Sequence, residues 1–165
     1  MKKLLFTIFC ILIGIYYSVG QTIGYTYKPL ATEGCGVIYN VVKQNDKYYV
    51  IVTVESDQMK FLSEATMMLK TFNNNVITLN GSLIDTTTDS GAGFVVGNMI
   101  FPVTSINSTA QFEIIEEQIE YFNEGISKIR LSTIPIEHER TFKKDKIGRK
   151  LYQQYKVVKN KDATF

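Results

Sequence analysis

His138 is the only histidine of the chain, and it stands in Glu137-His138-Glu139-Arg140. A histidine between carboxylates is where metal ligation or proton transfer would be sought first. In an extended segment, however, side chains alternate, so Glu137 and Glu139 point away from His138. One imidazole with adjacent carboxylates also falls short of a zinc ligand set. The tetrapeptide reads as solvated surface. Nucleophilic catalysis needs a base beside the nucleophile, and His138 is the one imidazole on offer. Cys35, in Gly34-Cys35-Gly36, reads as a small buried apolar residue. Ser90 precedes Gly91-Ala92-Gly93 but lacks the strand–GxSxG–helix setting of a hydrolase elbow. Phosphate-loop patterns are absent, and Asp85 and Asp89 read as part of a polar loop rather than a calcium site. The expectation is a non-enzyme with no catalytic residue, no metal and no cofactor.

Two groups of residues point instead to contact. Tyr48 and Tyr49 are adjacent in a strand-like run, so one of them faces away from the other; an exposed tyrosine face can stack on a sugar or a partner. Lys143, Lys144, Lys146 and Arg149 crowd into the C-terminal region. Residues 21–137 hold 7 basic and 13 acidic residues, whereas residues 138–165 hold 9 basic and 3 acidic. That polarity implies a basic C-terminal segment lying on its own acidic body, or reaching for an acidic partner. The leading reading is therefore a binding or interaction domain that touches an envelope protein or surface polymer. A small-molecule or glycan module built on the tyrosine face is the alternative. Nucleic acid is not an expected partner, because the chain beyond residue 20 is neutral overall and carries an export signal.

The export signal comes first in the chain. Lys2 and Lys3 precede the uncharged apolar run Leu4–Tyr17, and Ser18-Val19-Gly20 supplies the small residues a signal peptidase reads. Fourteen apolar residues are fewer than the roughly 20 that span a bilayer as a helix. No later segment is long enough to cross. The sequence thus reads as a signal peptide at 1–20, an irregular lead-in at 21–33 and one β-rich domain at 34–165, secreted or held in the periplasm or cell envelope.

The elements expected to position these residues are mainly strands. Val37–Val42 and Lys47–Glu55 are rich in β-branched residues around a Gln44-Asn45-Asp46 turn, a β-hairpin signature. Ala65–Phe72 is an extended candidate, closed by the Asn73-Asn74-Asn75 turn. Asn80-Gly81 reads as a second tight turn, and Asp85–Gly93 as loop. Phe94–Val96 and Met99–Phe101 read as strand pieces bent around Gly97, with a further strand at Thr109–Ile115. Glu116–Glu117 opens a short helix stopped by Gly125. Ile126–Thr133 alternates cleanly between charged and apolar faces. Residues 141–158 read as an amphipathic helix, with Ile147, Leu151, Tyr155 and Val158 in one stripe and Gly148 marking a kink or a close approach. The fold class is mainly β (α+β): an antiparallel sheet or β-sandwich with a short helix before the last strand and a C-terminal helix, a closed barrel being the other possibility.

The blocks EEQIEYFNEGISKIRLST and FKKDKIGRKLYQQYK, with a signal ending in Gly-Gln, resemble the C-terminal part of small exported proteins of unknown function from Bacteroides-type Gram-negative bacteria. The likeness covers roughly the last third of the chain. It implies an envelope or secreted location and carries no activity.

Overall fold

The computed structural model describes residues 22–27 and 35–162, with backbone alone at 92–96, 100–103 and 161–162. The signal-peptide reading therefore lies outside the described residues. Eight strands form one antiparallel sheet in the order β1-β2-β3-β7-β6-β5-β8-β10: β1 (Ile23–Thr26), β2 (Gly36–Gln44), β3 (Lys47–Ser56), β5 (Glu64–Thr71), β6 (Val76–Val96), β7 (Met99–Ile114), β8 (Ile126–Leu131) and β10 (His138–Thr141). A separate short pair joins β4 (Lys60–Phe61) to β9 (Thr133–Ile134). The lead-in is thus not wholly irregular, since Ile23–Thr26 pairs with Gly36–Tyr39 as an edge strand.

Period-two alternation decides which face turns inward. Val37, Tyr39 and Val41 of β2, and Tyr48, Val50, Val52 and Val54 of β3, are all buried. Met67 and Leu69 of β5, Ala110, Phe112 and Ile114 of β7, and Ile129 and Leu131 of β8 join them in one apolar core. The sheet curls around that core, so its opposing walls belong to one sheet rather than to the two sheets of a sandwich.

Helices close one end of the curl. α1 (Glu116–Glu120) runs into a 3₁₀ turn (Tyr121–Glu124), burying Ile119 and Phe122. It precedes β8, β9 and β10, because His138–Thr141 also forms a strand, paired with Lys128–Leu131. α2 (Gly148–Asp162) buries Ile147, Leu151 and Tyr155 against the same end. The last helix starts seven residues later than expected from Thr141. Asp145 is the cause: Oδ1 accepts the N–H groups of Ile147 (3.2 Å) and Gly148 (2.8 Å), and Oδ2 accepts that of Arg149 (2.9 Å). A side chain satisfying those first donors fixes the N-terminus there. Asp145 Oδ1 also accepts the Ile126 N–H at 3.0 Å, tying the cap to the start of β8.

Gly81 and Gly148 stand at close approaches of backbone. Asn80-Gly81 makes no turn; β6 runs straight through it, pairing β5 on one side and β7 on the other. A Cβ at Gly81 would lie 2.1 Å from the Gln111 carbonyl oxygen and 2.6 Å from the Phe112 ring. At Gly148 a Cβ would meet the Ile126 backbone nitrogen at 2.7 Å and the Phe122 carbonyl oxygen at 2.9 Å. Helix propensity alone favours alanine over glycine by about 1 kcal/mol. Here the clash with backbone opposes that gain, and overpacking costs about 1–3 kcal/mol. Gly148→Ala is expected to lower the midpoint of urea unfolding; a raised midpoint would show that α2 does not press on β8 as described.

Candidate functional site

Two places bring functional side chains together: the line where the sheet's edges meet, and the outer face of β6, β5 and β8.

At the first, β1 and β10 lie at opposite ends of the strand order, yet the Tyr25 hydroxyl sits 2.7 Å from His138 Nε2. The same hydroxyl lies 3.1 Å from that of Tyr39. The Tyr25 and His138 rings stack with centroids 5.7 Å apart, Tyr27 stands 4.5 Å from the imidazole, and Phe142 meets Tyr25 edge-on at 5.1 Å. His138 is consequently buried at 5% exposure, not solvated as its charged neighbours suggested. Alternation carries this outcome: Glu137 and Glu139 are exposed, while His138 faces inward. Its backbone N–H donates to Thr133 Oγ1 at 3.0 Å. Burial, aided by the Arg140 charge, pushes His138 down to about 4, so it is neutral at pH 7. Burial also raises Tyr25, Tyr27 and Tyr39 above the ordinary tyrosine value. The cluster is a set of neutral hydrogen-bonding rings joining the sheet edges. The one imidazole of the chain is committed to that joint.

On the outer face, Thr66, Met68 and Lys70 of β5 flank Val76 and Thr78 of β6 and Lys128, Arg130 and Ser132 next to them on or beside β8. They line two adjoining shallow grooves of about 220 and 270 Å³ that share Met68 and Arg130, with Glu137 at the far end. Met68 is 39% and Val76 59% exposed, so the floor is partly apolar. Lys70 sits directly opposite Lys128 in the β5–β8 register. Lys128 Nζ reaches Glu139 Oε1 at 2.7 Å, and Arg130 donates to Glu139 Oε2 through Nε (3.0 Å) and Nη2 (2.8 Å). Hydrogen bonds from Lys128 and then Arg130 hold the Glu139 carboxyl below the usual carboxylate range. Glu139 is thus shared by two cations, while Lys70 makes no ion pair among the described residues. Beyond Thr141, paired with Lys128, the chain continues into exposed Lys143, Lys144 and Lys146, and Arg149 lies in the first turn of α2. Cations at a helix N-terminus oppose the helix dipole.

No family model matches this chain, and no curated protein or solved structure matches it either.

The residues singled out from sequence divide sharply. Lys143, Lys144, Lys146 and Arg149 are exposed and lie together in the turn before α2 and its first residues. The acidic body is engaged farther along the helix, where Lys159 Nζ meets Glu116 Oε2 at 2.6 Å and the Tyr152 hydroxyl donates to Glu120 at 2.8 Å. Tyr48 is 6% exposed and packs edge-on against Tyr155 at 5.0 Å, so it belongs to the core beneath α2 and offers no stacking face. Tyr49 is half-buried on the opposite face of β3. A platform built on both tyrosines is absent. Among the described residues, no three His, Cys, Asp or Glu side chains gather to hold a metal. Lys70, Met68 and Val76 escaped sequence reading because each is unremarkable in its own strand; only strand register sets Lys70 against Lys128.

The joint yields a pH-dependent expectation. The folded value of His138, about 4, lies below its ordinary 6.5, so its contribution to stability is fully present above pH 6.5. It is lost as pH falls from there toward 4, because the unfolded chain takes up the proton more readily. His138→Gln removes the titration. The stability advantage of the parent protein over this variant should therefore shrink steadily between pH 6.5 and 4 in urea unfolding. A constant difference over that range would mean that His138 is not buried neutral.

Proposed function

We propose that this chain is an exported, non-enzymatic binding module that holds an acidic, extended partner, a segment of an envelope protein or of a surface polymer, along the outer face of β6, β5 and β8. Lys70, Lys128 and the basic turn from Lys143 to Arg149 meet the partner's anionic groups. Met68 and Val76 take its less polar parts. One observation carries the reading: Lys70 directly faces Lys128 across the outer faces of two adjacent strands. Like charges in that position destabilise a sheet; Glu139 already offsets Lys128, so an incoming anion pairs first with Lys70. The basic turn extends the same positive field, which draws acidic chains in by long-range attraction. The non-enzymatic part rests on the engagement of His138 by Tyr25, which leaves the nucleophile candidates without a base. Export rests on the sequence of residues 1–20.

Labelled polyglutamate, standing for an acidic protein segment, and polygalacturonate, standing for a surface polymer, are the direct probes. Anisotropy titrations at low ionic strength should show saturable binding that weakens with added salt. Lys70→Glu combined with Lys143→Glu should weaken it at least tenfold, equivalent to about 1.4 kcal/mol. Tyr49→Ala should leave it unchanged. Binding that ignores the double charge reversal, or no binding of either probe at low salt, would refute the proposal.

A further inference from the structure

β6 and β7 stay paired far beyond the strands that flank them. β5 leaves β6 at Glu64↔Ser82, and β3 leaves β7 at Ser56↔Ile106. The β6–β7 ladder nevertheless continues, through a register shift between Gly91 and Phe94, to Val96↔Met99, with Gly97 turning the chain at φ +63°. Residues 85–93, expected as loop, are strand because this ladder runs on through them. From Ile106 outward the structure is a two-stranded ribbon, and the seven steps from Met99 span roughly 25 Å. Thr87 to Gly91 and Gly97 to Met99 are exposed along it. A lone two-stranded ribbon is marginal in water, and its outer edges present N–H and C=O groups that no other strand takes among the described residues.

The sequence of the two edges differs. Ser90–Val96 of β6 (SGAGFVV) contains no charge and no proline, while β7 carries Pro102, which has no N–H to donate. Edge strands meant to remain single are blunted by charges, proline or bulges; β6 carries no charge and no proline over this stretch, and its one irregularity there is the register shift between Gly91 and Phe94. From Phe94 to Val103 the residues at the far end are almost all apolar. Two occupants fit apolar residues, but only one also fits the backbone. Hydrocarbon leaves the ribbon's outer N–H and C=O groups unpaired, at high cost. A second strand edge supplies partners for them. Antiparallel pairing of a strand with its own copy closes under a two-fold axis, and over Ser90–Val96 it sets no like charges against each other.

We infer that this ribbon is a dimerisation arm, in which β6 of one copy pairs antiparallel with β6 of a second copy along Ser90–Val96. The arm lies outside the cationic groove, so the two readings stand or fall separately. Sedimentation equilibrium of the purified protein should show a reversible dimer. Val95→Lys and, separately, Ala92→Pro should raise its dissociation constant at least tenfold, with the melting temperature of the isolated protomer unchanged. Thr87→Lys, nearer the sheet, should leave the dimer intact. A protein that is monomeric at millimolar concentration would overturn the inference, as would a dimer indifferent to Val95→Lys and Ala92→Pro, or variants that dissociate only by unfolding. Partitioning of the parent protein onto phosphatidylethanolamine–phosphatidylglycerol vesicles, abolished by Val95→Lys, would assign the arm to a lipid surface instead.

Discussion

An antiparallel sheet that rolls up without completing its ladder must deal with two edges at once. In this protein those edges are β1 and β10, and side chains join them where backbone pairing does not. The Tyr25 hydroxyl, 2.7 Å from His138 Nε2 and 3.1 Å from the Tyr39 hydroxyl, is the polar centre of that joint. Buried polar groups are tolerated when they are paired, and rings supply apolar area at the same time. The remaining architecture follows from the closure. A rolled sheet has two open ends, and α1 with α2 covers one, where Tyr155 meets Tyr48. At the other, Ser108 Oγ accepts the Phe61 N–H at 3.0 Å, holding the β4–β9 pair against β7.

The inward face is filled by core side chains, as in small eight-stranded closed sheets generally, and the two grooves described above lie on the outside. The charge layout has the same origin. Strand alternation that sends Ile129 and Leu131 inward must send Lys128 and Arg130 outward, and the β5 register sets Lys70 beside them. Neutral His138 and its tyrosines hold the sheet edges, while Lys70, Lys128 and Arg130 lie on the outer face.

Much of the fold was legible because its signals are local. The Asn45-Asp46 turn has both residues at positive φ (50° and 60°), and Asn74 at 69° makes the turn that the asparagine run announced. Gly125, at φ 80°, ends the 3₁₀ turn where a stop was expected. The stripe Ile147–Leu151–Tyr155 faces the core as its spacing required. What escaped reading was non-local. Asn80-Gly81 carries a turn signature, but β7 passes so close that only glycine fits. The threonine-rich stretch from Asp85 resembles a loop in composition and becomes strand because β7 mirrors it. His138 looked solvated because its neighbours are charged, and no periodicity within one segment could bring β1 to β10. For the candidate site, the basic turn was visible as composition, whereas the groove depends on which strand lies beside which.

The joint between β1 and β10 is tested most directly by a distance. Spin labels at Thr26→Cys and Thr141→Cys, both exposed edge positions, placed in a background with Cys10→Ser and Cys35→Ala, can be read by pulsed dipolar spectroscopy. A flat eight-stranded sheet would hold its edge strands seven spacings apart, roughly 34 Å. The rolled sheet predicts a single distribution centred below about 20 Å, allowing for one strand spacing plus the label arms. A distribution centred near the flat-sheet distance would contradict the closure and everything built on it.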